Sequence, residues 1–225
     1  MADFDWRQTP GDTLNRYHDG VLGYQAWRQL LAVIHDFLNA EEPNPFLAAF
    51  DEFLHQLQQT NYGPKVCRVF VSHQRADVLF AERIAYLANQ KGFEYWLDVH
   101  DPLLQIANNT NLLPVVNSIL IAAIIEMALL NCTHGITVQT TNAQQSRWIP
   151  YEFGRAKRRW LVSTQVASWF DNGAYTASTA DYLKLGVCAL KEHHVEHWLA
   201  AESSRCLCKN VRPRCWNVPP YRLPN

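Results

Sequence analysis

Four short apolar runs, separated by longer stretches of helical spacing, constrain this chain more than any other feature. "KVCRVFVSH" (65–73) is rich in β-branched and aromatic residues and ends in polar ones, the pattern of a strand buried on both faces. "RADVLFAERIAYLANQKG" (75–92) then sets Leu79, Phe80, Ile84 and Leu87 on one helical face and closes on a glycine stop at Lys91-Gly92. "FEYWLDV" (93–99) is a second strand, ending in Asp98 and opening the loop "HDPLLQIANNTN". A long apolar helix from about Leu112 to Asn131 leads to a third strand, "HGITVQT" (134–140). A helix containing Glu152 follows, then a strand candidate "STQVASWF", a turn "DNGAY", and a last helix "DYLKLGVCALKEHHVEHWLAAE" (181–202). Strands alternating with helices predict an α/β fold with a central parallel sheet flanked by helices and right-handed crossovers.

Before this domain, "QAWRQLLAVIHDFLN" (25–39) and the run after Asn44-Pro45 each carry an apolar stripe, with Trp27, Leu31 and Ile34 in the first and Phe46, Phe50 and Leu54 in the second. The expected organisation is therefore an N-terminal helical extension over 1–62, with "NYGPK" as a linker. The α/β domain spans 63–202, and a basic, proline-containing tail spans 203–225. The tail holds Arg205, Lys209, Arg212, Arg214 and Arg222 with no acid, and reads as irregular, either solvated or loosely docked, or else a partner-binding arm.

Twenty Lys and Arg against 21 Asp and Glu leave a net charge of −1, so no global field draws the protein to nucleic acid or an anionic membrane. "MADFDWRQTPGD" has no apolar core of a secretory signal, and Pro114, Asn117, Ser118 and Glu126 interrupt the most apolar run, which argues against a membrane span. A cytoplasmic protein is the expectation. The six cysteines then read as reduced thiols, and "CLCKNVRPRCW" lacks the paired spacing of a structural metal site, so no metal is expected. Only Gly92 and Gly135 fall between residues 64 and 153, which excludes a dinucleotide-binding glycine fingerprint or a P-loop.

In an open parallel sheet, ligands bind outside the carboxyl ends of the strands. Three segments lie there: "SHQR" (72–75), "LDVHDP" (97–102) and "TTNAQQSRW" (140–148). Glu152 follows the last. With Pro150 restraining Ile149, the helix is expected to start at Ile149 as cap, placing Glu152 at the third helical position. There a carboxylate caps amides and complements the dipole for about 0.3–1 kcal/mol, and the same helix end would keep it ionised. Trp148 offers either a flat face for a ring or a core contact. Ser72 and His73 either cap the loop or hold a ribose or phosphate, and Asp98 is either structural or a ligand group.

"RVFVSHQRAD", "GFEYWLD" and "SRWIPYEFGRAK", in that order, resemble the first-strand, second-strand and third-helix motifs of bacterial Toll/interleukin-1 receptor (TIR) domains, over about residues 65–200. The resemblance implies a flavodoxin-like sheet. It also implies cleavage of NAD+ between ribose and nicotinamide, with NAD+ as substrate and no further cofactor. Glu152, four residues after Trp148, matches the family's catalytic glutamate, and Ser72, His73, Asp98 and Trp148 fall where substrate would bind. Such domains include components of Thoeris-like anti-phage systems, which make a signalling nucleotide for a downstream effector, and they self-associate. Their second-strand loop often carries a glycine, whereas "VHDPLLQIANNTN" has none. A non-enzymatic TIR adaptor, acting through self-association, is the alternative.

Overall fold

The structure, a computed structural model, describes residues 67–101, 104, 108, 114–158, 164–172, 174–176, 179–206 and 221–224. The expected N-terminal helices and the linker lie outside them. The described residues of 66–101 and 132–225 belong to one compact unit, and those of 102–131 to another.

In the first unit, β1 (Arg68–Ser72), β2 (Glu94–Trp96), β3 (His134–Gln139), β4 (Val166–Phe170) and β5 (Val187–Ala189) form an all-parallel sheet in the order β2-β1-β3-β4-β5. This is the flavodoxin-like α/β arrangement, with a topological switch point between β1 and β3. The central strands are buried at every position, which explains their reading as continuous apolar runs.

Helix α1 (Val78–Gln90) follows a short 3-10 turn, Arg75–Asp77. It buries Ala81, Ile84, Ala85, Leu87 and Ala88, whereas Leu79, expected on that face, is exposed. Gly92, with φ of 82°, ends it as expected. Helix α2 (Pro114–Asn131) begins on its proline and belongs to the second unit. Among the described residues no helix is long and apolar enough to cross a membrane.

Helix α3 (Trp148–Arg158) packs Phe153 against Val166, Phe170 and Leu183, with Ala156 beside them. Ala156 lies where a Cβ at Gly135 would meet its own at 3.2 Å, so that glycine lets the helix approach β3. The register puts Phe70, Ser72, Gly135, Thr137, Gln139, Ser168 and Phe170 on this face of the sheet. At its β2 edge, Arg68 and Glu94 form a buried ion pair at 2.6 Å.

The expected final helix over 181–202 is corrected. It divides into a 3-10 turn (Asp181–Leu185), strand β5, and helix α4 (Glu192–Arg205). Gly186 breaks the run, and parallel pairing with β4 recruits the next three residues into the sheet.

Reduced thiols are also corrected for one pair: Cys67 and Cys206 form a disulfide, with Cα atoms 6.4 Å apart, while Cys132 and Cys188 are free. Because disulfides are rare in reducing compartments, the bond weighs against the cytoplasmic expectation. The described end of the tail is docked, one of the outcomes expected for it. Leu223 is buried and its amide donates to Glu192 Oε2 at 2.7 Å, while Tyr221 meets the Phe80 ring edge-on.

Candidate functional site

Ser72 ends β1 at the carboxyl edge of the sheet, next to the switch point. Its hydroxyl donates to Glu152 Oε2 in a short hydrogen bond between residues eighty positions apart. Glu152 lies on the sheet-facing side of α3 and is 7% exposed.

The capping expectation is overturned. Helix α3 starts at Trp148, and the hydroxyl of Ser146 accepts from the amides of Trp148 and Ile149, both at 3.3 Å. Ile149 and Pro150 are thus already helical, and Glu152 is the fifth residue rather than the third. A proline is tolerated in this first turn because its missing N–H would have had no intrahelical partner. With the cap supplied by Ser146, the Glu152 carboxylate is turned to the sheet.

Its ionisation is corrected with it. Burial disfavours the charged form and pushes the Glu152 carboxyl up to about 7, the Ser72 hydrogen bond pulls it down, and the nearby Asp98 charge raises it again. Desolvation therefore outweighs the anion-favouring helix terminus. Near neutral pH the group is poised between its acid and its base forms, the condition in which a carboxyl can exchange protons or charge with a bound ligand.

His73 follows Ser72, with its side chain 1% exposed and Nε2 3.4 Å from Asp98 Oδ1, a contact without hydrogen-bond geometry. Asp98 also accepts from the Val99 amide at 2.7 Å, and its side chain stays 40% exposed. The structure thus brings together four expected site residues, Ser72, His73, Asp98 and Glu152. Trp148 stands a helical turn before Glu152, exposed, and its ring meets Tyr151 edge-on at 5.9 Å. It is not bonded to the other four, and with Tyr151 it offers aromatic surface at the start of α3.

The loop that sets α3 in place is held by a residue that sequence reasoning passed over. Buried Asp77 accepts from the Thr140 hydroxyl at 2.6 Å and the Asn142 side-chain amide at 2.8 Å. Thr140 in turn accepts from the amides of Asn142 and Ala143. The loop after β1 thereby clamps the loop after β3, three residues ahead of the Ser146 cap. An acid close behind "SHQR" was the available signal.

Asp101, in the loop where the resemblance anticipates a glycine, accepts from the Trp96 indole at 2.8 Å, and Trp96 stacks on Phe70 at 4.6 Å. That aspartate fixes the exit of β2. Across the α3 face, the Thr137 hydroxyl donates to Ser168 Oγ at 2.9 Å, so a row of hydroxyls runs from Ser72 through Thr137 to Ser168.

Chemically, the arrangement offers one carboxyl group able to lose its proton near pH 7, a hydroxyl bonded to it, and an imidazole beside a second carboxylate. A protein-family scan of the chain matches no model, and a search of curated proteins finds no relative.

Proposed function

We propose that this protein cleaves the bond between nicotinamide and ribose in NAD+, with Glu152 as the catalytic carboxylate. One observation carries the reading. Glu152 is a buried carboxyl group at the ligand-binding edge of a parallel sheet, bonded to the strand-end Ser72 rather than to its own helix, with its titration raised to about 7.

The chemistry requires little more. As the glycosidic bond breaks, its electron pair leaves with nicotinamide, which departs as a neutral molecule, and positive charge develops on the ribose. An ionised Glu152 beside that charge stabilises the transition state, and the low-dielectric surroundings that raise its pKa also strengthen the attraction. No second carboxyl group is needed to protonate the leaving group, in contrast to ordinary glycosidases. The pyridinium charge of the substrate itself favours the ionised form of Glu152, so binding shifts the group into its active state.

Ser72 orients the carboxylate, and His73 with Asp98 lines the approach for ribose or an attacking acceptor. The acceptor is water, a group of the same nucleotide, giving a cyclic product, or a small molecule. As the TIR resemblance implies, the product serves as a signal to a downstream effector in anti-phage defence, and the enzyme works as a self-associated TIR assembly.

Nicotinamide release from NAD+ by the purified protein, followed by chromatography, tests the assignment. Wild type releases nicotinamide and Glu152→Ala does not. Equal release by both proteins, or release by neither together with unchanged biological function of Glu152→Ala, overturns it in favour of an adaptor acting through its surface.

A further inference from the structure

Gln139, the last residue of β3, is 7% exposed, and its Nε2 is buried without a hydrogen-bond partner. A buried amide left unpaired is destabilising, whereas an apolar side chain of the same shape carries no such penalty. Trp169, also buried with an unpartnered indole N–H, packs its ring on Phe80 at 5.1 Å, so its bulk has a structural use that a glutamine's does not.

Register locates the unused donor. Ser72 pairs with Thr137, and Gln139 stands two residues further along β3 on the same face, about 7 Å beyond Thr137 at roughly 3.3 Å per residue. It therefore lies one layer closer to the open edge than the Ser72–Glu152 pair, on the side of the sheet that α3 covers. Its own main chain is fixed there, because the Asp171 amide donates to the Gln139 carbonyl at 2.9 Å.

The geometry points to Gln139 as the specificity residue for the leaving group, donating from Nε2 to the carboxamide oxygen of nicotinamide. This assignment rests on the NAD+ reading above. With the ribose carbon beside Glu152, the pyridine ring extends toward the open edge and brings its carboxamide to the level of Gln139. A carboxamide is a fitting partner because it supplies a strong neutral acceptor. A site built around such a bond discriminates against a ligand that lacks it, since the buried donor is then left unpaired.

Calorimetry in the Glu152→Gln background, which stops turnover, tests this with two ligands, NAD+ and the same dinucleotide lacking the carboxamide. Gln139→Met keeps the length of the side chain and removes its polar atoms. The expected result is NAD+ binding about ten-fold weaker in Gln139→Met, no change for the truncated dinucleotide, and an unchanged or higher thermal midpoint. Equal NAD+ affinities, an equal loss for both ligands, or a midpoint lowered by several degrees overturns the assignment. In the first two cases the Gln139 protein still binds NAD+, so the NAD+ reading stands. Failure of both proteins to bind either ligand overturns the two together.

Discussion

Replacing Glu152 with glutamine isolates the energetic consequence of burying a titratable group. In the folded protein the carboxyl titrates near 7, against an ordinary value of 4.5. The folded state therefore holds its proton more tightly than the unfolded chain does. Below pH 4.5 the group is neutral in both states and makes no difference. As pH rises from 4.5 to 7 the unfolded chain ionises first, and wild-type stability falls. Above 7 both states are ionised and the penalty is constant. At 1.36 kcal/mol per pH unit, that window corresponds to about 3 kcal/mol. The glutamine amide is neutral throughout, so Glu152→Gln is expected to match wild type at about pH 4 and to exceed it by about 3 kcal/mol at about pH 8. Urea unfolding at intervals across this range measures the gap, because titrating groups not coupled to Glu152 cancel in the difference. A gap that does not change with pH, or a variant less stable than wild type at the alkaline end, refutes the reasoning that desolvation governs this residue.

Ser72→Ala removes the bond that favours the carboxylate, so the rising limb of the pH–activity profile should move about one pH unit to the alkaline side, and an unmoved limb would show the bond to be idle. Binding of a non-cleavable NAD+ analogue that keeps the pyridinium charge should release about half a proton at pH 7 as that charge ionises Glu152, read from the dependence of binding heat on the ionisation enthalpy of the buffer. Asp77→Ala leaves Thr140 and Asn142 without their shared acceptor and should cost about 2 kcal/mol in urea unfolding. Arg68→Met takes the guanidinium away from buried Glu94 and should cost about 3–5 kcal/mol, with much of it restored in the Arg68→Met/Glu94→Leu double variant.

The buried strands were legible because a parallel strand covered on both faces has no polar alternation to hide it, as "RVFVS" and "HGITVQ" illustrate. Strand β5 was not legible. It spans three residues, its first two are only half-buried, and Leu183, Val187 and Leu190 around it recur at helical spacing. Only pairing with β4, a tertiary event, makes it a strand.

The site divides in the same way. That Ser72, Asp98 and Glu152 lie at one edge follows from strand order alone. The state of Glu152 does not, because its local sequence describes a capping anion while its actual partner comes from another strand. The proline rule also pointed to Ile149 as cap, when the hydroxyl of Ser146 was already satisfying those amides. Gln139 offered no signal, since a polar residue ending a strand is ordinary until its surroundings show that its amide nitrogen has nothing to bond.

The Cys67–Cys206 bond has a consequence for how the unit holds together. It joins the residue just before β1 to the residue just after α4, across 139 positions, so all five strands of the sheet lie within one covalent ring. Closing a ring of that size removes conformational freedom from the unfolded chain worth about 5 kcal/mol in the chain-entropy model, comparable with the whole stability of many domains. The ring also ties down the root of the basic tail, whose far end returns to Glu192 at the other end of α4. Opening it with a reductant would release one anchor of that tail while the contacts of Tyr221 and Leu223 stay in place, making the oxidation state of two sulfurs one control on how firmly the last segment is held.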